Sequence, residues 1–138
     1  MRKRPLGQNF LIDTAIADSI IELADIKKED DILEIGPGKA ALTQRLIPLA
    51  RSLTAIELDP NLCRELEYRF KNEICSFKII EGDAAKFDYS SIKPEFKVVS
   101  NLPYYAATHI MKKLIHFGSR IHSMTLMMQK EVVDRLTA

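Results

Sequence analysis

Several things are scarce in this chain, and each scarcity excludes something. At 138 residues there is room for one core, burying about two-thirds of the unfolded surface, but not for a second domain. Cysteine is limited to Cys63 and Cys75, on stretches that read as a helix and the start of a strand. They lack Cys-x-x-Cys spacing and have no histidine beside them in sequence, so they read as reduced structural thiols. No apolar run reaches the about 18 residues of a membrane span, and Arg2-Lys3-Arg4 is not followed by the roughly 7 to 15 apolar residues of a signal peptide. The expected compartment is the cytosol. A net charge of +1 gives no whole-molecule field for nucleic acid. The basic tip reads as a solvated terminus, with a phosphate-touching arm as the alternative. Repeats, low-complexity tracts and linkers are lacking too. With 46% hydrophobic and 28% charged residues, the composition excludes disordered and fibrous classes.

What is present alternates between two periods. Asp13 is placed to cap a helix carrying Ile16, Ile20, Leu23 and Ala24 on one face. Asp31 to Gly36 predicts a first strand, and Ala41 to Ala50 a helix interrupted by Pro48. Leu53 to Leu58 predicts the second strand, followed by a helix from Pro60 with Leu62, Leu66 and Phe70 inward. Phe77 to Ile80 and Phe96 to Ser100 predict the third and fourth strands. A helix with Ile110, Met111, Leu114 and Ile115 follows, and Gly118 is placed to end it. Met124 to Met128 predicts a fifth, central strand whose methionines pack in the core, and Lys130 to Leu136 begins another helix. The fold expected is doubly wound α/β, a mostly parallel sheet of Rossmann-like type with helices on both faces.

In such a sheet ligands bind outside the carboxyl ends of the strands. Four consecutive strands deliver glycine or polar residues there: Gly36 and Gly38, then Glu57 and Asp59, then Asp83, then Asn101. Gly36-Pro37-Gly38-Lys39-Ala40-Ala41 fits the loose dinucleotide fingerprint, and Glu57 lies 21 residues after Gly36, suitable for a ribose diol. A nicotinamide-dependent enzyme is therefore one reading. Against it, Pro37 removes a backbone donor, and the Glu34 carboxylate would oppose phosphates. The same carboxylate favours a cationic ligand, and S-adenosylmethionine carries a sulfonium and an ammonium but no phosphate. Glu57 is then expected on the ribose hydroxyls and Asp83 on the adenine amine.

Asn101-Leu102-Pro103-Tyr104-Tyr105 adds a sharper signal. The exocyclic amine of adenine is a poor nucleophile because its lone pair is delocalised into the ring. The Asn101 side-chain oxygen and the Leu102 carbonyl are candidate acceptors for its two hydrogens, leaving the lone pair aimed at a methyl donor. Pro103 biases Leu102 away from the helical region and so keeps that carbonyl available. Tyr104 is a candidate stacking platform for the target base. No metal or dedicated base is required, and His109, His116 and His122 share no metal-ligand spacing.

Six segments, Gly7-Gln8-Asn9-Phe10-Leu11, Glu34-Ile35-Gly36-Pro37-Gly38, Ala55-Ile56-Glu57-Leu58-Asp59, Glu81-Gly82-Asp83-Ala84, Asn101-Leu102-Pro103-Tyr104-Tyr105 and Met128-Gln129-Lys130-Glu131-Val132, together resemble the ribosomal RNA adenine dimethyltransferase family. The resemblance runs from Pro5 to Leu136. It implies transfer of methyl groups from S-adenosylmethionine to adenines of small-subunit rRNA during ribosome assembly, with a monomer as the expected state. It further implies cofactor contacts from Asn9, Leu11, Gly36, Glu57, Asp83 and Asn101, and a catalytic pocket of Asn101, Leu102, Pro103 and Tyr104. Leu102 is closer to the small-subunit wording than to that of large-subunit enzymes, which more often have isoleucine there. Two departures stand out. Ala40 replaces the family's usual glycine, an adjustment expected to be tolerated because only a methyl is added. The chain also ends at Thr137-Ala138, inside a helix, before the further strands and small helical RNA-binding domain of the family. Residues 1–138 are thus expected to be the cofactor-binding catalytic domain, incomplete at its C-terminus. A non-catalytic module that binds RNA or assembling ribosomes is the alternative for the isolated chain, and a large-subunit rRNA methyltransferase the alternative within the family.

Overall fold

A computed structural model of the chain describes residues 13–73, 75–102 and 106–128. Its elements are α1 (Thr14–Ala24), β1 (Asp31–Ile35), α2 (Thr43–Leu46), β2 (Ser52–Glu57), α3 (Pro60–Arg69), β3 (Ser76–Glu81), β4 (Phe96–Asn101), α4 (Ala107–His116) and β5 (Ile121–Met127), with 3-10 turns at Tyr89–Ser91 and Gly118–Arg120. The five strands make one sheet in the order β3-β2-β1-β4-β5, with every pairing parallel. Successive strand residues point to opposite faces. Ile32 and Leu53 accordingly join one core cluster with Ala17, Ile20, Leu46 and Leu66 from α1 to α3. Leu33 and Val98 join a second with Ile110 and Leu114 of α4. The doubly wound α/β expectation holds. Strand order reverses between β1 and β4, and a crevice opens outside their carboxyl ends at such a switch point.

Caps set the helix starts. Asp13 Oδ1 accepts the Ala15 amide at 2.8 Å, and Asp59 Oδ1 accepts that of Asn61 at 2.9 Å, with Pro60 in the first turn where its missing N–H costs nothing. The inward face of α1 differs from the expected one. Ala17, Ile20 and Ala24 are buried, whereas Ile16 is 46% and Leu23 76% exposed. The apolar residues of α1 form two overlapping stripes, and the one bearing two alanines lets the helix lie close to the sheet. On α3, Leu62, Cys63 and Leu66 turn inward. Burial, reinforced by the charge of Glu57, pushes the Cys63 thiol up to about 11, which fits an inert structural thiol.

Three further expectations need correction. The helix expected from Ala41 to Ala50 contracts to the four residues of α2. Ala40 enters it at φ 75, outside the right-handed region, and Pro48 has no N–H with which to continue it. Helix α4 does not end on a glycine cap: the Phe117 amide donates to the carbonyls of Lys113 and Leu114, and Gly118 opens a 3-10 turn. Finally, β5 is an edge of the described sheet rather than a central strand. Met124 is 37% exposed, while Met127 and Met128 are half-buried against the two core clusters. The helix expected from Lys130 lies outside the described residues.

At the end of the sheet away from the crevice, Lys97 Nζ pairs with Asp30 Oδ2 at 2.7 Å and donates to the Asp25 carbonyl at 2.9 Å. Burial pushes the Asp30 carboxyl up, but the Lys97 ammonium and the Lys27 amide outweigh it and hold it below the usual range. The pair fastens the end of α1 and the entry to β1 onto β4. Lys97→Ala leaves a half-buried carboxylate without its cation and is expected to lower the unfolding free energy by about 1 to 3 kcal/mol, allowing for partial solvent screening. Urea melts at neutral pH check this, and an unchanged midpoint would count against a structural pair.

Candidate functional site

The loop after β1 is shaped by backbone geometry. Gly36 and Gly38 have φ 66 and 56, in the left-handed region where a side chain is strained. The turn aims amides at β2: Gly36 donates to the Ile56 carbonyl at 2.8 Å and Gly38 to Glu57 Oε1 at 3.2 Å. Asp59 donates to Glu57 Oε2 at 2.9 Å, and the Glu57 carbonyl accepts the Gly82 amide at 2.9 Å. Glu57, only 1% exposed, is therefore the point where the loops after β1, β2 and β3 are tied together.

Ala40 shares the left-handed conformation, so the cost of having alanine there is not bulk. Left-handed backbone costs a non-glycine residue about 1 to 2 kcal/mol. Burial of the methyl, about 0.8 kcal/mol, and the smaller entropy of the unfolded chain compared with glycine, about 0.5 to 1 kcal/mol, offset it. These contributions are opposite in sign and similar in size to that cost.

Glu34 and Glu57 project from the face shared with Ile32 and Leu53, by the two-residue period of their strands. Glu34 is also 1% exposed, and its Oε1 accepts the Thr43 hydroxyl at 2.6 Å. Burial pushes its carboxyl up, the Thr43 hydrogen bond pulls it back, and the charge of Glu57 adds to the rise, leaving it at about 8. Burial and the neighbouring Glu57 charge thus favour the protonated form of the group read from sequence as a carboxylate.

The remaining strand ends complete the edge. Asp83, half-buried, shapes the turn after β3 by accepting the Ala85 amide at 2.9 Å, and the Tyr89 hydroxyl anchors that turn through the Ala84 carbonyl at 2.8 Å. Ser100 donates its hydroxyl to the Ile35 carbonyl, locking β4 to the end of β1. Asn101, half-buried, closes the β4–β5 ladder opposite Met127. The Leu102 amide donates to the Met127 carbonyl at 3.0 Å, and its side chain is buried.

Of the expected site residues, Gly36, Glu57, Asp83, Asn101 and Leu102 come together at this edge. Asn9, Leu11, Pro103 and Tyr104 lie outside the described residues. Thr43 and Ser100 were not anticipated. Ser100, the one hydroxyl of β4 and next to the Val98-Val99 pair, carried a signal that could have found it; Thr43 carried none. A cavity of about 370 Å³ lined by Asp31, Arg51, Lys78, Lys93 and Phe96 opens near the opposite strand ends, around the Asp31–Arg51 ion pair, and takes no part in the site.

The edge suits a cation-bearing nucleoside better than a pyrophosphate. A pyrophosphate relies on a helix N-terminus for its anion site, and α2 has four residues with two buried carboxyls beside it. Those carboxyls instead offer acceptors for ribose hydroxyls, and a cationic ligand favours the charged form of each.

The chain has clear relatives. The family described as ribosomal RNA adenine dimethylase matches residues 1–138. Ribosomal RNA small subunit methyltransferase A of Clostridium acetobutylicum is 46% identical over 136 residues, covering 96% of this chain and 49% of that protein. A dimethyladenosine transferase from Plasmodium falciparum superposes with a TM-score of 0.80 at 33% identity, over 94% of this chain and 46% of that one. The 23S rRNA methyltransferase ErmE superposes with a TM-score of 0.79 at 27% identity, over 90% of this chain and 49% of that one. This chain thus spans about half the length of the curated relatives it matches. With its whole described length matched and its sheet shared with solved relatives, the chain belongs to the ribosomal RNA adenine dimethylase family.

Proposed function

We propose that the protein to which this chain belongs binds S-adenosylmethionine at the carboxyl edge of its sheet and methylates the exocyclic amine of adenines in small-subunit rRNA, giving dimethyladenosine. The observation that carries this is the meeting of Gly36, Glu57, Asp83 and Asn101 at one strand edge, in a chain that belongs to the adenine dimethylase family. S-adenosylmethionine supplies the methyl on a sulfonium. Glu57 accepts from the ribose hydroxyls, Asp83 from the adenine amine of the cofactor, and the loop at Gly36 lies against the ligand, with Asn9 and Leu11 completing the contact. Asn101 and the Leu102 carbonyl receive the hydrogens of the target amine, Pro103 holds that carbonyl out of a helix, and Tyr104 stacks on the base.

Small-subunit rRNA is preferred as substrate because the relative that is 46% identical is named for the small subunit, against 27% for the 23S enzyme. Assembling small-subunit particles in the cytoplasm are the proposed place of action, with one copy of the enzyme at work. Among the described residues no helix is long and apolar enough to cross a membrane. Residues 1–138 are proposed as the cofactor-binding catalytic part, corresponding to about half the length of the matched relatives. Because the chain is about half as long as those relatives, cofactor binding without turnover is the second reading for the chain alone. The test follows labelled methyl from S-adenosylmethionine into 16S and 23S rRNA, using the full-length parent and the chain. The expected product is dimethyladenosine in 16S rRNA. Label confined to 23S rRNA, or none with the parent, would overturn the proposal.

Removal of the Glu57 acceptor is expected to weaken S-adenosylmethionine by about 1.5 to 3 kcal/mol, roughly 10- to 150-fold in Kd. Glu57→Ala also releases the Gly38 and Asp59 amides, so Glu57→Gln, which keeps one acceptor oxygen, is the companion variant. Calorimetric titration checks both. Affinity unchanged in the two variants would remove Glu57 from the ligand.

A further inference from the structure

We propose that Glu34 is the proton-exchanging group of the cofactor site: it holds a proton while the site is empty and releases it to solvent when S-adenosylmethionine binds, so the site separates the sulfonium donor from its uncharged thioether product. This rests on the cofactor reading above and adds to it a residue outside the expected contacts.

The geometry leaves a proton as the balancing charge. Glu34 and Glu57 are both 1% exposed and share one sheet face. Their donors are unequally divided: Glu57 takes the amides of Gly38 and Asp59, while Glu34 takes the single hydroxyl of Thr43. Two buried carboxyls on one sheet face repel when both are charged, and fewer donors make the charged form of Glu34 the costlier to hold.

Among the described residues, the cations of the packed elements have partners of their own. Arg45 of α2 is held by Asp18 of α1 at 2.8 Å and by the Ala41 carbonyl. Lys39, on the loop, reaches Glu65 of α3 at the surface at 3.9 Å. On β4, Lys97 is paired with Asp30 at the far end of the sheet, and the Ser100 hydroxyl is spent on Ile35. On β1 itself, Asp31 is paired with Arg51. The balance of burial, Thr43 and Glu57 places the Glu34 proton within reach of neutral pH.

S-adenosylmethionine brings two cations and one carboxylate, whereas its demethylated product keeps one cation and one carboxylate. The arriving sulfonium charge supplies what the proton had supplied, and the proton leaves for bulk water. After methyl transfer that charge is gone and Glu34 takes a proton back. Binding of the donor therefore strengthens as pH rises toward the carboxyl's value in the empty site, by up to about tenfold per pH unit for one proton, and binding of the product follows pH less steeply. Glu34→Gln keeps an acceptor for Thr43 in the same space and cannot exchange.

The test has two parts, both on the full chain. Carboxyl carbon NMR of the empty protein follows the Glu34 titration directly, needs no variant, and is expected to place it well above the usual carboxylate range. Calorimetry at pH 7, in two buffers of different ionisation enthalpy, counts protons released on binding S-adenosylmethionine or S-adenosylhomocysteine to wild type and Glu34→Gln. The difference between proteins removes the titration of the ligand's own amine. Close to one extra proton is expected for wild type with the donor, and less than half of that with the product. Equal release by both proteins while both bind, equal release for donor and product, or an empty-site Glu34 that titrates as an ordinary carboxylate would overturn the exchange. A wild type that binds no S-adenosylmethionine at any pH would overturn the cofactor reading and the exchange with it.

Discussion

Asn101→Ala in the full-length enzyme is expected to slow methyl transfer by about 100-fold or more at saturating cofactor, while Tyr104→Phe keeps much of the activity. Asn101 sits at the end of β4, held in register by its pairing with Met127 and by the adjoining Ser100 anchor on Ile35. Its side-chain oxygen is proposed to accept an amine hydrogen in a geometry that improves as the nitrogen becomes tetrahedral. Its loss therefore removes stabilisation felt mainly in the transition state, a few kcal/mol for a preorganised group of this kind. Tyr104 offers a ring face, which phenylalanine retains and alanine does not; stacking of a base on an aromatic ring contributes roughly 1 to 3 kcal/mol. Single-turnover methylation with Asn101→Ala, Tyr104→Phe and Tyr104→Ala separates the two roles. An Asn101→Ala enzyme as fast as wild type would remove Asn101 from the chemistry.

The second large effect concerns stability. Glu34 has an ordinary value of 4.5 in the unfolded chain and about 8 in the fold. Between these values the fold favours a proton that the unfolded state has released, so the contribution of Glu34 is fully present below 4.5 and is lost as pH rises toward about 8. At about 1.36 kcal/mol per pH unit, the loss approaches roughly 4 to 5 kcal/mol over the interval, a large part of the about 5 to 15 kcal/mol that holds a domain together.

Other perturbed groups act outside this window. The carboxyls of Asp25, Asp30, Asp31 and Asp88 are all held below 3.8, so their contribution is lost only as pH falls through lower values. Cys63, raised from 9.0 to about 11, acts only in alkali. Urea melts at pH 5, 6.5 and 8 should show wild type weakening steadily and Glu34→Gln changing little. A wild type equally stable at all three values would contradict a proton on Glu34.

Much of this fold was legible because strand and helix signals are local. The strands are short apolar runs, and β2, β3 and β4 begin and end within a residue or so of the expected positions. Asp13 and Pro60 announced their helices through capping chemistry. What escaped depended on partners far along the chain. The inward face of α1 was set by how closely its alanines allow it to approach the sheet. The brevity of α2 followed from the left-handed Ala40, which alanine does not advertise. The site was legible as a list of strand-end residues, since a parallel sheet sends its carboxyl ends to one edge. Its electrostatics were not. The upward push on the Glu34 carboxyl comes from its burial and from the charge of Glu57, with the Thr43 hydroxyl opposing it. None of these contacts is visible in the spacing of residues.

The central claim is that this edge is built for a sulfonium nucleoside rather than a dinucleotide. Calorimetric titration of the chain with S-adenosylmethionine and, separately, with NAD tests it most directly. Saturable one-to-one binding of S-adenosylmethionine, weakened in Glu57→Gln, with no binding of NAD, is the predicted result; binding of NAD in preference to S-adenosylmethionine would contradict it.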